Sequence, residues 1–427
     1  MTAARKCRTL ALMNDDLLKN SLLNRFVRYA AIGSQSDMPR ADSGIFPSTD
    51  CQKDIAKALA AELRSLGIED VTLDPNFYVI ARLPATPGFE RAPSFGLSAH
   101  FDTAMDAPGD NVKPRIHKDW NGEPIRLEGG FSLDPANDPI LDSCRGHTII
   151  TSDGTTLLGA DDKAGVAGIV TLAEYLIAHP EVSHGPIEML FSPDEETGHG
   201  MDHVPLNLLT SKAFYTVDGG QEGELETECF NAWKAEIEFT GISLHTGHAR
   251  GRMVNAVSMA SAFIASLPAQ ESPEATDGYY GFYAPINIEG SIESAKATLF
   301  LRDFDRAGMD RRLETVDVLA KAIEARFPGG KVSVKRTMQY LNMKQKLDAA
   351  PEILAKLEKA AANAGIPTHL NPIRGGTDGS RLTEMGIPTP NVFTGGHNYH
   401  SRTEWASLEQ MYGMLRTLIE LAKCWSE

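Results

Sequence analysis

The sequence predicts an α/β fold interrupted by a smaller inserted α+β domain, and three observations carry that reading. Through the first half, short apolar strand candidates alternate with helical periodicity. From about Glu222 the order becomes β-α-β-β-α-β, the split ferredoxin-like arrangement. After Tyr340 helices gather again around one strand. At 427 residues the chain also exceeds what one hydrophobic core usually serves. The expected division is residues 1–221 with 336–427 as a discontinuous core domain, and 222–335 as the insert.

Taken in order, Leu17 to Ala31 and Cys51 to Leu66 carry apolar residues at helical spacing, the second entered through Thr49-Asp50 as caps and left at Gly67. Residues 71–73, 78–83, 94–99, 187–191 and 214–217 read as strands, and Lys163 to Ala178 as a buried helix. Between Thr103 and Leu157 the pattern dissolves into Gly, Pro, Asp and Asn, an irregular elaboration of the core. The insert supplies strand 235–239, helix 253–267, strands 286–288 and 297–301, helix 311–326 and strand 331–334. Helices 352–364 and 408–423 then flank a strand at 390–393.

Composition removes several function classes. Forty-one Lys and Arg against 57 Asp and Glu leave a formal charge of −16, which repels phosphate backbones and anionic membrane surfaces, so neither nucleic acid nor membrane is an expected partner. Five scattered cysteines without a C-x-x-C pair suggest neither a disulfide framework nor a thiolate zinc site and suit a reducing cytoplasm. The basic start, Arg5-Lys6-Cys7-Arg8, has the flavour of a signal peptide, but Asn14-Asp15-Asp16 cuts its apolar stretch short. No run is long enough to span a bilayer.

No G-x-S-x-G elbow, P-loop, H-E-x-x-H or dinucleotide-binding glycine motif is present. What remains is a set of acids and histidines, each just after an apolar strand candidate, the place where open α/β sheets bind ligands. His100 and Asp102 stand two apart and project from one face if the strand continues, so Asp102 can fix the imidazole's tautomer. Asp161 and Asp162 sit where a turn gives way to a helix: either a cap with its solvated neighbour, or a bridging metal ligand. Asp194-Glu195-Glu196 ends a hydrophobic strand. Three consecutive acids are a solvated loop, or, beside a metal, one ligand and one unligated base. Asp218 reads as a turn residue unless its company makes it a ligand, and His400 is ambiguous in the same way. Together His100, Asp161, Glu196, Asp218 and His400 form a borderline-to-hard donor set for zinc, manganese or cobalt. If Asp161 bridges, each of two ions has three protein ligands and an open position. His199 and His203 read as surface histidines among helix breakers, and His397 as a candidate substrate contact.

These segments also carry a resemblance. Leu157-Leu158-Gly159-Ala160-Asp161-Asp162-Lys163-Ala164-Gly165, Pro193-Asp194-Glu195-Glu196, Tyr215-Thr216-Val217-Asp218-Gly219-Gly220, Arg374-Gly375-Gly376-Thr377-Asp378-Gly379 and Asn398-Tyr399-His400, in this order, resemble the tripeptide aminopeptidases of the M20 metallopeptidase family, over nearly the whole chain from about Leu18. The resemblance implies a zinc-exopeptidase-like catalytic domain with a ferredoxin-like lid and dimerisation insert, and a homodimer. It implies two divalent ions, zinc first and cobalt or manganese next, one held by His100, Asp161 and Asp218 and the other by Asp161, Glu196 and His400. It makes Glu195 the general base, has Asp102 orient His100, and places a cis peptide between Asp161 and Asp162. In the insert, Leu244-His245-Thr246-Gly247-His248-Ala249-Arg250-Gly251 resembles the segment whose histidine reaches the active site, in some relatives from a neighbouring subunit; position matching favours His245. Arg374 is implied to bind a substrate terminus, its guanidinium forking onto a peptide carboxylate.

The expected activity is removal of the N-terminal residue from short peptides, preferably tripeptides. Another M20 activity, such as that of a dipeptidase, carboxypeptidase or N-acyl amino acid deacylase, needs the same metals and a differently sized pocket. A binding protein that has lost hydrolysis is the third reading, and it gives no reason to keep Glu195 beside a full ligand set.

Overall fold

The computed structural model describes residues 3–427, with side chains from Asp15 onward; the side chains of the basic start, Cys7 among them, lie outside the described residues. Helix α1 (Ala3–Ala30) leads in. Helix α2 (Cys51–Ser65) buries Ile55, Ala56, Leu59, Ala60 and Leu63, one apolar stripe at helical spacing. Asp50 does not cap it; its carboxylate pairs with Lys53 instead, because Asp50 already has helical dihedrals. Strands β1 (Asp70–Leu73), β2 (Val79–Leu83) and β3 (Phe95–His100) follow, then helix α3 (Ala160–Ala178) and strands β4 (Ile187–Ser192), β5 (Phe214–Gly219) and β6 (Glu224–Glu226).

After β6 the chain enters a second compact unit, Glu228–Gln345 with Pro372–Gly376. It comprises β7 (Asn231–Thr240), α4 (Ala256–Ala265), β8 (Phe282–Gly290), β9 (Ser294–Asp303), α5 (Arg306–Arg326) and β10 (Lys331–Tyr340), the β-α-β-β-α-β order expected. Its antiparallel sheet runs β8-β9-β7-β10. Alternate residues of β7 and β9, including Ala235, Ile237, Phe239, Leu299 and Leu301, are buried with Met259, Phe263, Met309 and Val316 of the helices. Helix α4 starts at Ala256 rather than Met253, because Asn255 caps it by accepting the Val257 and Ser258 amides.

The chain then returns to the first unit with α6 (Pro351–Asn363), β11 (His369–Leu370), α7 (Asp378–Glu384), β12 (Asn391–Phe393) and α8 (Leu408–Ser426). The large sheet has the order β1-β2-β4-β3-β5-β12-β6-β11, parallel across β4, β3, β5 and β12. β3 and β4 are buried along their whole length, as strands covered on both faces must be. Helix α3 packs on β3 and β5, with α1 and α8 against it. The first unit ends at Thr227 rather than at 221, because β6 pairs with β12 and β11 in the large sheet.

The stretch 103–157 is more ordered than its composition suggested. It holds a small hairpin (Ile125–Arg126 with Ser132–Leu133) and the helix Pro139–Ser143. Its strands Arg115–His117 and Ile149–Thr151 join Trp405–Ser407 and Gly396–His397 in a four-stranded sheet. Among the described residues no helix is long and apolar enough to cross a membrane.

Gly165 makes the contact between α3 and β5 possible. A Cβ there would overlap the Val217 carbonyl oxygen and the Asp162 carboxylate, neither of which can yield without moving the strand or the helix start. Gly165→Ala is expected to destabilise the chain by about 3 kcal/mol, measured by denaturant unfolding of the metal-stripped protein.

Candidate active site

Parallel neighbours β4, β3 and β5 end side by side, and each delivers functional groups at its C-terminal end, which is why residues distant in sequence meet here. β3 ends in His100, β5 carries Asp218, the short turn after β4 carries Glu195 and Glu196, and α3 opens with Asp161. His400 comes from a tip between the paired segments Gly396–His397 and Trp405–Ser407.

The Asp161 carboxylate faces both imidazoles. Its Oδ1 lies 2.9 Å from His100 Nε2 and its Oδ2 3.3 Å from His400 Nε2. His100 Nε2 is also 3.5 Å from Asp218 Oδ1, and His400 Nε2 is 3.0 Å from Glu196 Oε2. Thus all five expected ligands converge, with Asp161 between two groups of donors. Asp162 also lies within ligand reach of His100 and Asp218. Its oxygens, however, accept the Gly165 and His100 amides, so it caps the helix while Asp161 turns to the site. The Asp161–Asp162 peptide is cis.

Asp102 ties the pieces together. Its Oδ1 lies 3.2 Å from His100 Nδ1 and accepts the Glu195 amide, and its Oδ2 accepts the Glu196 amide and the Ser36 hydroxyl. One buried carboxylate therefore lies against an imidazole and fixes the turn that presents both glutamates. Burial pushes the Glu195 carboxyl well above the usual carboxylate range, its neighbours Asp378, Asp218 and Glu196 adding to the rise. Burial and the Asp161 charge push Glu196 up to about 8, and burial pushes Asp218 up to about 6. Burial would raise Asp161 too, but hydrogen bonds from His100 and His400 hold it below the usual range. Hydrogen bonds to Asp161 and Glu196 raise His400 to about 11.

This donor set fits divalent cations. Carboxylates outnumber imidazoles, and Glu196 Oε1 is buried with no hydrogen-bond partner, an oxygen whose desolvation a cation offsets. The pH dependence of stability follows. Groups whose folded pKa is raised, Glu196 and Glu226 at about 8 and His400 at about 11, all favour the proton-loaded folded state, so stability grows as pH falls from 9 toward 6.5. The melting temperature of the metal-stripped chain is expected to rise over that window. Saturating zinc or manganese should flatten the rise by replacing the protons, as a pH series of melting curves would register.

Several contributors carried no signal in the motifs. Glu404 is buried and accepts the amides of Leu158, Gly159 and Asp161 at 2.7, 2.8 and 3.1 Å, anchoring the loop that presents the Asp161 carboxylate. An acid directly before the apolar strand Trp405–Ser407 was the available clue. Asp106 Oδ2 sits 3.2 Å from His400 Nδ1. Asp378 is buried against the Ser192 hydroxyl, 2.5 Å away. His397 is not poised as a substrate contact: it is buried, stacked on Trp405 and bonded through Nε2 to Gln410. His199 pairs with Asp202 and Asp42, and His203 lies edge-on to Phe46, as surface histidines.

Two expected residues belong to the second unit. His245 lies before an exposed turn, Thr246–His248, its Nδ1 accepting the Gly247 amide. Arg374 NH1 donates to the carbonyls of Gly278 and Tyr280, its NH2 to Thr276, and its guanidinium lies over Phe230 and Phe282.

Comparison with known proteins gives a consistent picture. The family described as Peptidase family M20/M25/M40 matches residues 153–423. The chain is 42% identical over 412 residues to peptidase T of Geobacillus thermodenitrificans, covering 96% of this chain and 99% of that one. It is 43% identical to peptidase T of Listeria welshimeri, covering 96% and 100%. Among solved structures, aminopeptidase PepT from Bacillus cereus superposes with a TM-score of 0.73 at 22% identity, covering 96% of this chain and 99% of that one. A Staphylococcus aureus tripeptidase gives 0.74 at 20% identity, covering 96% and 98%.

Proposed function

The chain belongs to peptidase family M20, and from that membership and the converging donors we propose that it is a dinuclear metallo-aminopeptidase releasing the N-terminal residue of short peptides, tripeptides above all. The observation that carries the reading is the Asp161 carboxylate offering one oxygen to each imidazole, with Glu195 beside Glu196 on a turn fixed by Asp102. His100, Asp161 and Asp218 would hold one cation and Asp161, Glu196 and His400 the other, zinc first, with manganese and cobalt compatible with the same oxygens and nitrogens. When bound, such cations supply Lewis acidity, which makes a water acidic enough to ionise near neutral pH and polarises a carbonyl.

The chain's own residues do the rest. Glu195, unligated, takes the proton of the attacking water and returns it to the leaving amine. Asp102 keeps the Glu195 and Glu196 amides in place so that base and ligand do not exchange roles. His245 is proposed as a donor to the oxyanion, on the strength of its Leu244–Gly251 motif. Arg374 is proposed to meet a substrate carboxylate by exchanging the carbonyls it now holds. His245→Ala is expected to lower kcat and Arg374→Ala to raise KM, separating the two roles.

The substrate class is tested by comparing a tripeptide, its N-acetylated form, a dipeptide and an acyl amino acid on the metal-loaded chain. The tripeptide with a free amine is expected to have the highest kcat/KM. Preference for the dipeptide or the acylated compounds overturns the assignment. A reducing cytoplasm is the compartment proposed, supported by the scattered cysteines. For the homodimer, the second unit offers β8, a sheet-edge strand with exposed Ile286 and Ile288. Light scattering that gives one chain's mass, 46.4 kDa, would remove the dimer.

A further inference from the structure

We propose that Asp106 is a positioning residue for His400, and that the exposure of this pair leaves the cation on the His400 side the weaker and salt-sensitive one of the two. The inference rests on the dinuclear reading above and concerns how the two sides differ. Each imidazole turns Nε2 toward Asp161 and Nδ1 toward a second carboxylate: His100 toward Asp102 and His400 toward Asp106, both at 3.2 Å. Both partners come from the segment that follows β3, four residues apart, so one stretch of chain orients both rings.

The two pairs have opposite surroundings. The Asp102 and His100 side chains are 0% and 2% exposed, and Asp102 is further locked by Ser36 and two backbone amides. The Asp106 and His400 side chains are 64% and 43% exposed. His400 stands on a tip at φ +59°. A dry carboxylate–imidazole pair holds its ring in one orientation and ignores salt. A wet pair is screened by ions and loses part of its grip to water. Carboxylates behind ligating histidines typically change metal affinity by about 10–100-fold, so this difference in surroundings reaches the cations. Asp106 supplies the His400 ring with an orienting contact that can be weakened and restored by solution conditions.

The test is a calorimetric titration of the metal-stripped full chain with manganese, at low and high sodium chloride, for wild type, Asp106→Ala, Asp106→Asn and Asp106→Glu. Wild type should show a tight and a weaker equivalent, the weaker one losing several-fold in high salt. Asp106→Ala should weaken that second equivalent by about 10-fold, abolish its salt response and leave the first unchanged, with Asp106→Glu restoring part of the loss. The melting temperature of each stripped variant controls for folding, and Asp106→Asn, which preserves size, decides if the alanine variant is less stable. Two wild-type equivalents that Asp106→Ala leaves untouched, or weakens equally, overturn the inference while the dinuclear reading stands. A wild-type chain that takes up a single equivalent overturns both.

Discussion

Glu195→Gln is expected to keep both equivalents of metal and to lose roughly a thousandfold or more in kcat. The substitution preserves size and leaves the backbone amide that donates to Asp102, so the turn should hold its shape. What disappears is the proton acceptor. General acid–base groups commonly contribute 10²–10⁴ in rate, and a residue serving both at attack and at departure of the amine belongs at the upper part of that range, about 4 kcal/mol of barrier for each thousandfold. Metal analysis of the gel-filtered variant with steady-state rates on a tripeptide checks both halves. Retained metal with near-normal turnover would move the base elsewhere, and the buried Asp378 on the Ser192 hydroxyl would be the next carboxylate to examine.

Asp161→Asn has the second large effect, and its signature differs. Because the two carboxylate oxygens face different imidazoles, loss of the charge should strip both cations together and abolish measurable activity. Asp218→Asn and Glu196→Gln should each remove only one, since each faces a single imidazole at ligand distance. Stoichiometry after dialysis against a weak chelator separates these outcomes. One retained equivalent in Asp161→Asn would show that the carboxylate belongs to one cation only.

The sequence made the site's members legible because each follows an apolar strand, and parallel strands that are neighbours in a sheet must end together. Thus His100, Glu196 and Asp218 could be read from position as a set, though each alone also reads as a strand-end or turn residue, and the β-α-β-β-α-β order of the second unit followed from periodicity. Choosing between a cap and a ligand at Asp161-Asp162 needed coordinates, since both roles want an acid at a helix start. In the structure Asp162 accepts the Gly165 amide, while the Asp161 carboxylate faces both imidazoles. Glu404 and Asp106 stayed hidden because supporting carboxylates are recognised by what they touch, and their contacts cross about 240 and 290 residues of chain. His397 misled for the converse reason: a histidine three residues from His400 serves the small sheet's interior.

The position of β12 has a bearing on biogenesis. This strand, Asn391–Phe393, comes after the whole second unit in the chain, yet it lies between β5 and β6, inside the large sheet. A nascent chain still held on the ribosome exposes the unpaired edge of β5, a template for mispairing, and lacks His400 as well. A product cut short before β12 would lack His400 and leave a sheet edge open, which makes it a candidate for chaperone capture.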